Sequence, residues 1–210
     1  MHFAMSLVAT MKAMTKADCI FLSNIGSSVI HMSRNVLVAQ ALAHKVDKVV
    51  FIDDDISWTN KGFERLVLAP QPIVAGVYQK KPHNPYAEPS LAVSALPSGL
   101  VPNYQGLCEV DGAATGFLRI DTEVFEKLKT TCQKLEDDNL KPEERPYLYE
   151  FFSFGKLIKD GGTYVHGEDY SFCAKARDVG FKTYVDPEIK LGHHHGNFKF
   201  DAALKTFDLL

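Results

Sequence analysis

Three carboxylates in a row, Asp53, Asp54 and Asp55, follow directly on the apolar run Val49 to Ile52. Like charges this close repel one another, so the arrangement is costly unless a cation offsets it. Asp53 and Asp55, two apart, point to the same side of an extended chain. Two carboxylates on one side suit a hard divalent cation with oxygen ligands; a solvated acidic turn is the inert alternative. A second cluster is His193-His194-His195, ahead of Gly196. One or two of these imidazoles could complete a mixed carboxylate–imidazole site of the kind that holds Mn2+, with the others as bystanders. An exposed polar turn is again the alternative. A third cluster is Glu168-Asp169, after His166-Gly167, at a predicted helix start. One acid there is explained by the exposed N–H groups and the dipole of the helix. The other is a candidate general base, because a carboxylate on a rigid helix start can hydrogen-bond the proton it removes.

Three further segments give weaker signals. The run Asp111-Gly112-Ala113-Ala114-Thr115-Gly116 is small enough to let a ligand approach the backbone, or simply to let strands bend. Arg34, in Ser33-Arg34-Asn35, suits a phosphate or a neighbouring acid. Lys80 and Lys81 could meet phosphate or acceptor, although a solvated loop pair is the commoner case.

These residues must be positioned by elements whose pattern alternates. Cys19 to Leu22 reads as a strand, Ser33 to Ala43 as a helix, and Val49 to Ile52 as a short strand buried on both faces of a parallel sheet. Lys61 to Leu68 reads as a helix and Ile73 to Tyr78 as a strand. From Gln79 to Gln105, Pro82, Pro85, Pro89, Pro97 and Pro102 break any long element, leaving a long loop with one short strand near Leu91 to Ala95. Gly116 to Ile120 is a strand, and Thr122 to Leu128 a helix with Thr122 as its cap. Thr131 to Pro146 is a polar, exposed connection; Glu168 to Val179 is a helix ended by Gly180; Phe181 to Val185 is a strand. The first residues carry Phe3, Leu7, Met11 and Met14 at helical spacing, which predicts an amphipathic first helix.

The 210 residues fit one α/β domain, and 46% hydrophobic with 23% charged residues supports a real core. A formal net charge of −3 without a basic block argues against stable nucleic-acid binding. Cys19, Cys108, Cys132 and Cys173 form no C-x-x-C pair, and free thiols in a reducing, cytoplasmic compartment are expected. No stretch approaches the roughly 20 apolar residues of a membrane span.

The order of SRN at 33–35, FIDDDI at 51–56, IVAGVY at 73–78, DGAATGFLRI at 111–120, GEDYSFCAKARDVGFKTYVDP at 167–187 and LGHHHG at 191–196 resembles the GT-A glycosyltransferases, within them the inverting family 2-like branch. It is also similar to short virus and phage enzymes of this class; for a viral chain the compartment would be the host cytoplasm. The resemblance covers nearly the whole chain. It implies a Rossmann-like GT-A α/β sandwich with a mostly parallel central sheet, one domain over residues 1–210, acting as a nucleotide-diphospho-sugar transferase.

The resemblance also implies roles. Asp53 and Asp55 match the D-x-D motif, with Asp54 between them in the donor-binding set, and Asp55 is the direct ligand of Mn2+ (or Mg2+). His193 matches the late metal-binding histidine, for which His194 or His195 could substitute. Asp169 matches the base that deprotonates the acceptor, Glu168 positions the acceptor, and Arg34 contacts the donor nucleotide. Ala114, Thr115 and Gly116 let the sugar or acceptor sit against backbone. A UDP-sugar is favoured as donor, and the acceptor is a hydroxyl of a glycan, protein or small molecule. The family opens with a β-strand and a base-holding loop, whereas this sequence enters on the helix Met1 to Ala17, so that strand is missing or truncated. The alternatives are a nucleotidyltransferase, a zinc-type hydrolase, and a catalytically inert nucleotide- or glycan-binding module.

Overall fold

The computed structural model describes residues 1–14, 18–24, 29–80, 88, 90–159, 162–195 and 198–199. In chain order the elements are α1 (His2–Ala13), α2 (Ile30–Ala43), β1 (Lys48–Ile52), β2 (Ile56–Trp58), α3 (Asn60–Leu68), β3 (Ile73–Gly76), β4 (Val93–Ala95), β5 (Cys108–Ala113), β6 (Phe117–Asp121) and α4 (Thr122–Leu128). A 3-10 turn (Arg145–Tyr147), β7 (Gly155–Lys159), β8 (Gly162–His166), α5 (Glu168–Asp178), β9 (Thr183–Asp186), β10 (Leu191–His195) and β11 (Phe198–Lys199) complete it. The chain forms two compact units: Met1–Ala17, Val50–Arg119 and Thr183–Leu210, and Asp18–Val49 with Ile120–Lys182.

The class is α/β, built on a six-stranded sheet in the order β1-β6-β3-β9-β5-β4. That sheet is mixed, which corrects the expectation of a mostly parallel one. β3 runs parallel to β9, but β5 runs antiparallel to both β9 and β4. β4 and β5 follow one another in the chain with no helix between them, a connection that suits antiparallel neighbours.

In the first unit, β10 lies antiparallel to β2, with Leu191 opposite Trp58, Gly192 opposite Ser57 and His193 opposite Ile56. Behind this pair, Ile56, Trp58, Leu66, Val74, Tyr78, Phe117 and Ile189 form a buried cluster that Phe3 and Leu7 of α1 cover. Two hydroxyls hold α1 there: Trp58 Nε1 donates to Thr10 Oγ1 (2.8 Å), and Trp58 N donates to Ser6 Oγ (3.1 Å). Thr10 is thus the inward residue of the third turn, and Met11, expected on the inner face, is exposed. Thr59 caps α3 by accepting from Gly62 N at 3.0 Å.

The other end of α3 is closed by a residue that the sequence pattern does not mark. Arg119, on β6, is fully buried and donates to the carbonyls of Leu66 (3.2 Å), Ala69 (2.7 Å) and Gln71 (2.6 Å). Helix C-termini leave carbonyls without partners, and a buried guanidinium with five donors can satisfy several at once. Arg65, also on α3, forks onto Asp186 at the end of β9 (2.9 and 3.0 Å).

The second unit packs Phe125 of α4, Phe151, Phe152 and Phe172 of α5 ring against ring. Thr131 to Pro146, expected to be an exposed connection, buries Leu140 with Ala39 and Leu148, and also buries Glu144. Residues 18–24 form no strand: Ile20 and Phe21 are exposed, so an apolar run without a partner strand stays irregular. Thr122 opens α4 but its hydroxyl donates to Val46 O at 2.5 Å, and Asp121 occupies the cap position. Gly180 ends α5 with a φ of +98°, as expected. The hairpin β7–β8, with Gly155 opposite His166, is an element the sequence reading missed.

Arg119→Met keeps the length of the side chain but removes the donor from three carbonyls, that of Leu66 buried and those of Ala69 and Gln71 half-buried. It is expected to lower stability by about 3 kcal/mol, and a urea denaturation midpoint unchanged from wild type would contradict that role.

Candidate functional site

The acidic turn is pinned from three sides. Asp53 N donates to Gly116 O (3.0 Å), Ile56 N donates back to Asp53 O (3.1 Å), and His194 N donates to Asp55 O (2.8 Å). Asp54 sits exposed at the tip, with Asp53 and Asp55 half-buried on either side. The last of these bonds continues the β2–β10 ladder, and it draws His193 to Asp55, with Nε2 3.4 Å from Oδ2. The other ring nitrogen, Nδ1, lies 2.6 Å from the carbonyl oxygen of Gln79. A carbonyl only accepts, so Nδ1 carries the proton and Nε2 is the nitrogen turned to the carboxylate. This is the tautomer-fixing contact typical of metal-ligating histidines. The ring edge of Tyr78 packs on His193 at 4.9 Å.

The pair fits a small divalent cation. Two atoms 3.4 Å apart, each bound at about 2.1 Å to one ion, subtend about 108° at it. Among the described residues no three His, Cys, Asp or Glu side chains group together as a metal cage. An ion held between these two side chains would complete its shell with further oxygen ligands, as Mg2+-type sites do.

Asp53 is turned elsewhere. A Cβ built on Gly116 would lie 3.1 Å from Asp53 Oδ2 and 2.3 Å from the Tyr78 hydroxyl, which accepts from Gly116 N at 3.1 Å. So Asp53 does not join Asp55 and His193. The close approach that Gly116 permits is one by the protein's own phenol and carboxylate. Thr115 is buried, and Ala114 N donates to Ala92 O at 3.0 Å. Tyr78 was missed as a site residue; its only signal was an aromatic closing an otherwise apolar strand.

Strand alternation sorts the histidines. His194 points away from Asp55: its Nε2 lies 2.7 Å from Ser57 Oγ, and its ring stacks on His2 at 4.1 Å. Burial, followed by the neighbouring His2 and His193, holds its pKa below the ordinary imidazole value. The expectation that His194 could replace His193 is thereby corrected, because successive side chains of a strand face opposite ways. The side chain of His195 and the whole of Lys81 lie outside the described residues. Lys80 is exposed.

In the second unit, Arg34 Nη1 is ion-paired with Glu168 Oε1, and both side chains are largely buried. Arg34 was expected at a donor nucleotide and Glu168 at an acceptor; the structure brings the two to each other. Next to them, Asp169 Oδ1 accepts from Tyr170 N at 2.8 Å and folds back over Gly167. Burial raises the Asp169 pKa above the ordinary carboxylate value and the charge of Glu168 adds to it, against the opposing pull of the Tyr170 backbone bond and Arg34. Burial likewise pushes the Tyr170 phenol up.

No protein-family model matches the chain, and no curated protein matches it. Among solved structures it is similar to the crystal structure of A197 from STIV, at 15% sequence identity and a TM-score of 0.50. The match covers 92% of this chain and 79% of that one. At this identity the likeness bears on the fold alone, and it supports the α/β class. Among the described residues no helix is long and apolar enough to cross a membrane.

Gly116→Ala must displace the Tyr78 hydroxyl. Its expected cost is about 1–3 kcal/mol of stability, and combining it with Tyr78→Phe should cost less than the sum of the two. Additive effects in that double-mutant cycle would show that the two residues do not share this space.

Proposed function

We propose that the chain is a metal-dependent glycosyltransferase, moving a sugar from a nucleotide-diphosphate donor, a UDP-sugar by preference, to an acceptor hydroxyl with inversion. The observation that supports it best is the Asp55–His193 pair, with the His193 tautomer held by Gln79. A carboxylate and an imidazole leave coordination positions that diphosphate oxygens can fill, as in phosphate-handling Mg2+ sites. Mn2+ or Mg2+ bound there would offset the charge that develops on the leaving diphosphate.

The chain's own groups do the rest. Asp55 and His193 hold the donor end in register through their shared ladder. In this reading Asp169, whose carboxyl pKa is raised by burial, accepts the proton of the acceptor hydroxyl as its oxygen bonds to the anomeric carbon. The bond from that carbon to the diphosphate oxygen breaks, and the diphosphate leaves with the electron pair. Arg34 fixes Glu168 beside Asp169, and the Glu168 charge helps to keep the Asp169 pKa up.

Calorimetric titration with UDP, with and without Mn2+, tests the metal centre. Binding is expected only with Mn2+; Asp55→Ala should abolish it and His193→Ala should weaken it by about 10–100-fold. Metal-dependent binding that survives Asp55→Ala would sink the assignment.

Asp169→Asn separates the base from the scaffold. Turnover should fall by about 10²–10⁴-fold. The raised carboxyl pKa means that the folded state holds this proton more tightly than the unfolded state. Its favourable contribution is therefore complete below the unfolded pKa and is lost as pH rises through the folded one. The Asn variant should melt higher than wild type at neutral pH, with the gap closing in acid. A variant that melts lower at every pH would contradict the burial account.

A further inference from the structure

We infer that Tyr78 is a positioning residue of the metal centre, its ring bracing the His193 imidazole and its hydroxyl locking the loop on which the acidic turn hangs. The inference rests on the reading of Asp55 and His193 as metal ligands and goes beyond it to what keeps them facing each other.

The two ligands lie on different segments, and the bonds that hold them form a closed circuit. His193 Nδ1 lies 2.6 Å from Gln79 O. Gln79 follows Tyr78, whose hydroxyl accepts from Gly116 N at 3.1 Å. Gly116 O accepts in turn from Asp53 N at 3.0 Å. The turn from Asp53 to Ile56, closed by Ile56 N on Asp53 O (3.1 Å), carries Asp55. Asp55 O accepts from His194 N at 2.8 Å, which returns the circuit to His193. Its links run backbone to backbone except at the His193 ring and the Tyr78 hydroxyl. The phenol is thus the one side chain, apart from the ligand itself, on which the circuit depends.

Tyr78 is itself firmly set. Just past β3, Tyr78 O accepts from Ala92 N (2.8 Å) and Lys80 N donates to Ser90 O (2.7 Å). Backbone groups alternate in direction along an extended chain, which turns Gln79 O the other way, toward His193. The Tyr78 side chain is buried, and its ring meets the imidazole edge-on with centroids 4.9 Å apart. Packing of this kind restricts the rotation of the imidazole and so holds a ligand in one orientation. The two parts of the side chain therefore act on different arms of the centre. A phenylalanine would keep the ring contact but leave the buried Gly116 N–H without its acceptor. A leucine would lose both.

Two substitutions separate these roles. Mn2+ binding is titrated by electron paramagnetic resonance with no nucleotide present. The His193 tautomer is read by NMR on the metal-free chain with isotopically labelled histidine, its signals assigned by their loss in His193→Gln. Tyr78→Phe should bind Mn2+ about tenfold more weakly while His193 keeps its proton on Nδ1. Tyr78→Leu should weaken Mn2+ binding further and let His193 exchange between tautomers. Val74→Ala opens a cavity in the same buried cluster but outside the hydrogen-bonded circuit, so it should lower stability and leave both readings at wild type. If Tyr78→Leu does not fold, Tyr78→Phe decides alone. Wild-type Mn2+ affinity in Tyr78→Phe, a single Nδ1–H tautomer in Tyr78→Leu, or the same changes in Val74→Ala would each overturn the proposal. A wild type that binds no Mn2+, with a tautomer that still depends on the Tyr78 ring, would leave the brace standing and sink the metal reading instead.

Discussion

The antiparallel register of β10 on β2 is the constraint on which the candidate metal centre depends. It sets His193 opposite Ile56 and carries the ladder one bond further, from His194 N to Asp55 O. Slipping that register by one residue would exchange His193 for a neighbour facing the other way, because side chains alternate along a strand. Gly192 permits the close approach: a Cβ there would meet Ser57 Oγ at 2.5 Å. The ladder thus sets the His193 side chain, and not that of His194, toward the carboxylate. Gln79 then decides which of its nitrogens does so.

A second theme is the use of polar groups to close apolar elements. Arg119 takes the carbonyls at the end of α3, and Thr10 and Ser6 take the N–H groups of Trp58. Each bond removes an otherwise costly unpaired group from the interior of the first unit. The result is a rigid surround for the acidic turn, in which Tyr78 touches both His193 and Gly116. Of the three carboxylates, Asp53 lies beside Gly116, Asp54 is exposed and Asp55 meets His193.

The second unit follows the same logic with carboxylates that differ in fate. Glu168 is neutralised by Arg34, while Asp169, one residue on, is left with a raised pKa by burial. Asn35, bonded to Phe152 N and O, and Lys175, bonded to Glu150 O, hold the adjoining aromatic segment against α2 and α5.

Much of this was legible from residue type and period. Core helices and strands were found where apolar spacing was strong: α2, α3, α5, β1, β3 and β6 fall on the segments predicted for them. The candidate clusters at Asp53 to Asp55, Glu168-Asp169 and His193 to His195 were visible because charge and imidazole runs are local in sequence. What was missed was non-local. Cys19 to Leu22 has strand composition but pairs with no strand among the described residues, and Thr131 to Pro146 is polar yet buries Leu140. Arg119 gave no signal at all, since the carbonyls it serves lie about 50 residues away. The sequence by itself determined the α/β class and which residue types could do chemistry, since propensity and periodicity are local properties. Only the tertiary structure decided that His193 and not His194 meets Asp55, that Asp53 turns away, and that Arg34 is engaged by Glu168. The first is fixed by strand register and side-chain alternation, and the last by a side chain of α2 meeting one of α5, all contacts between segments far apart in the chain.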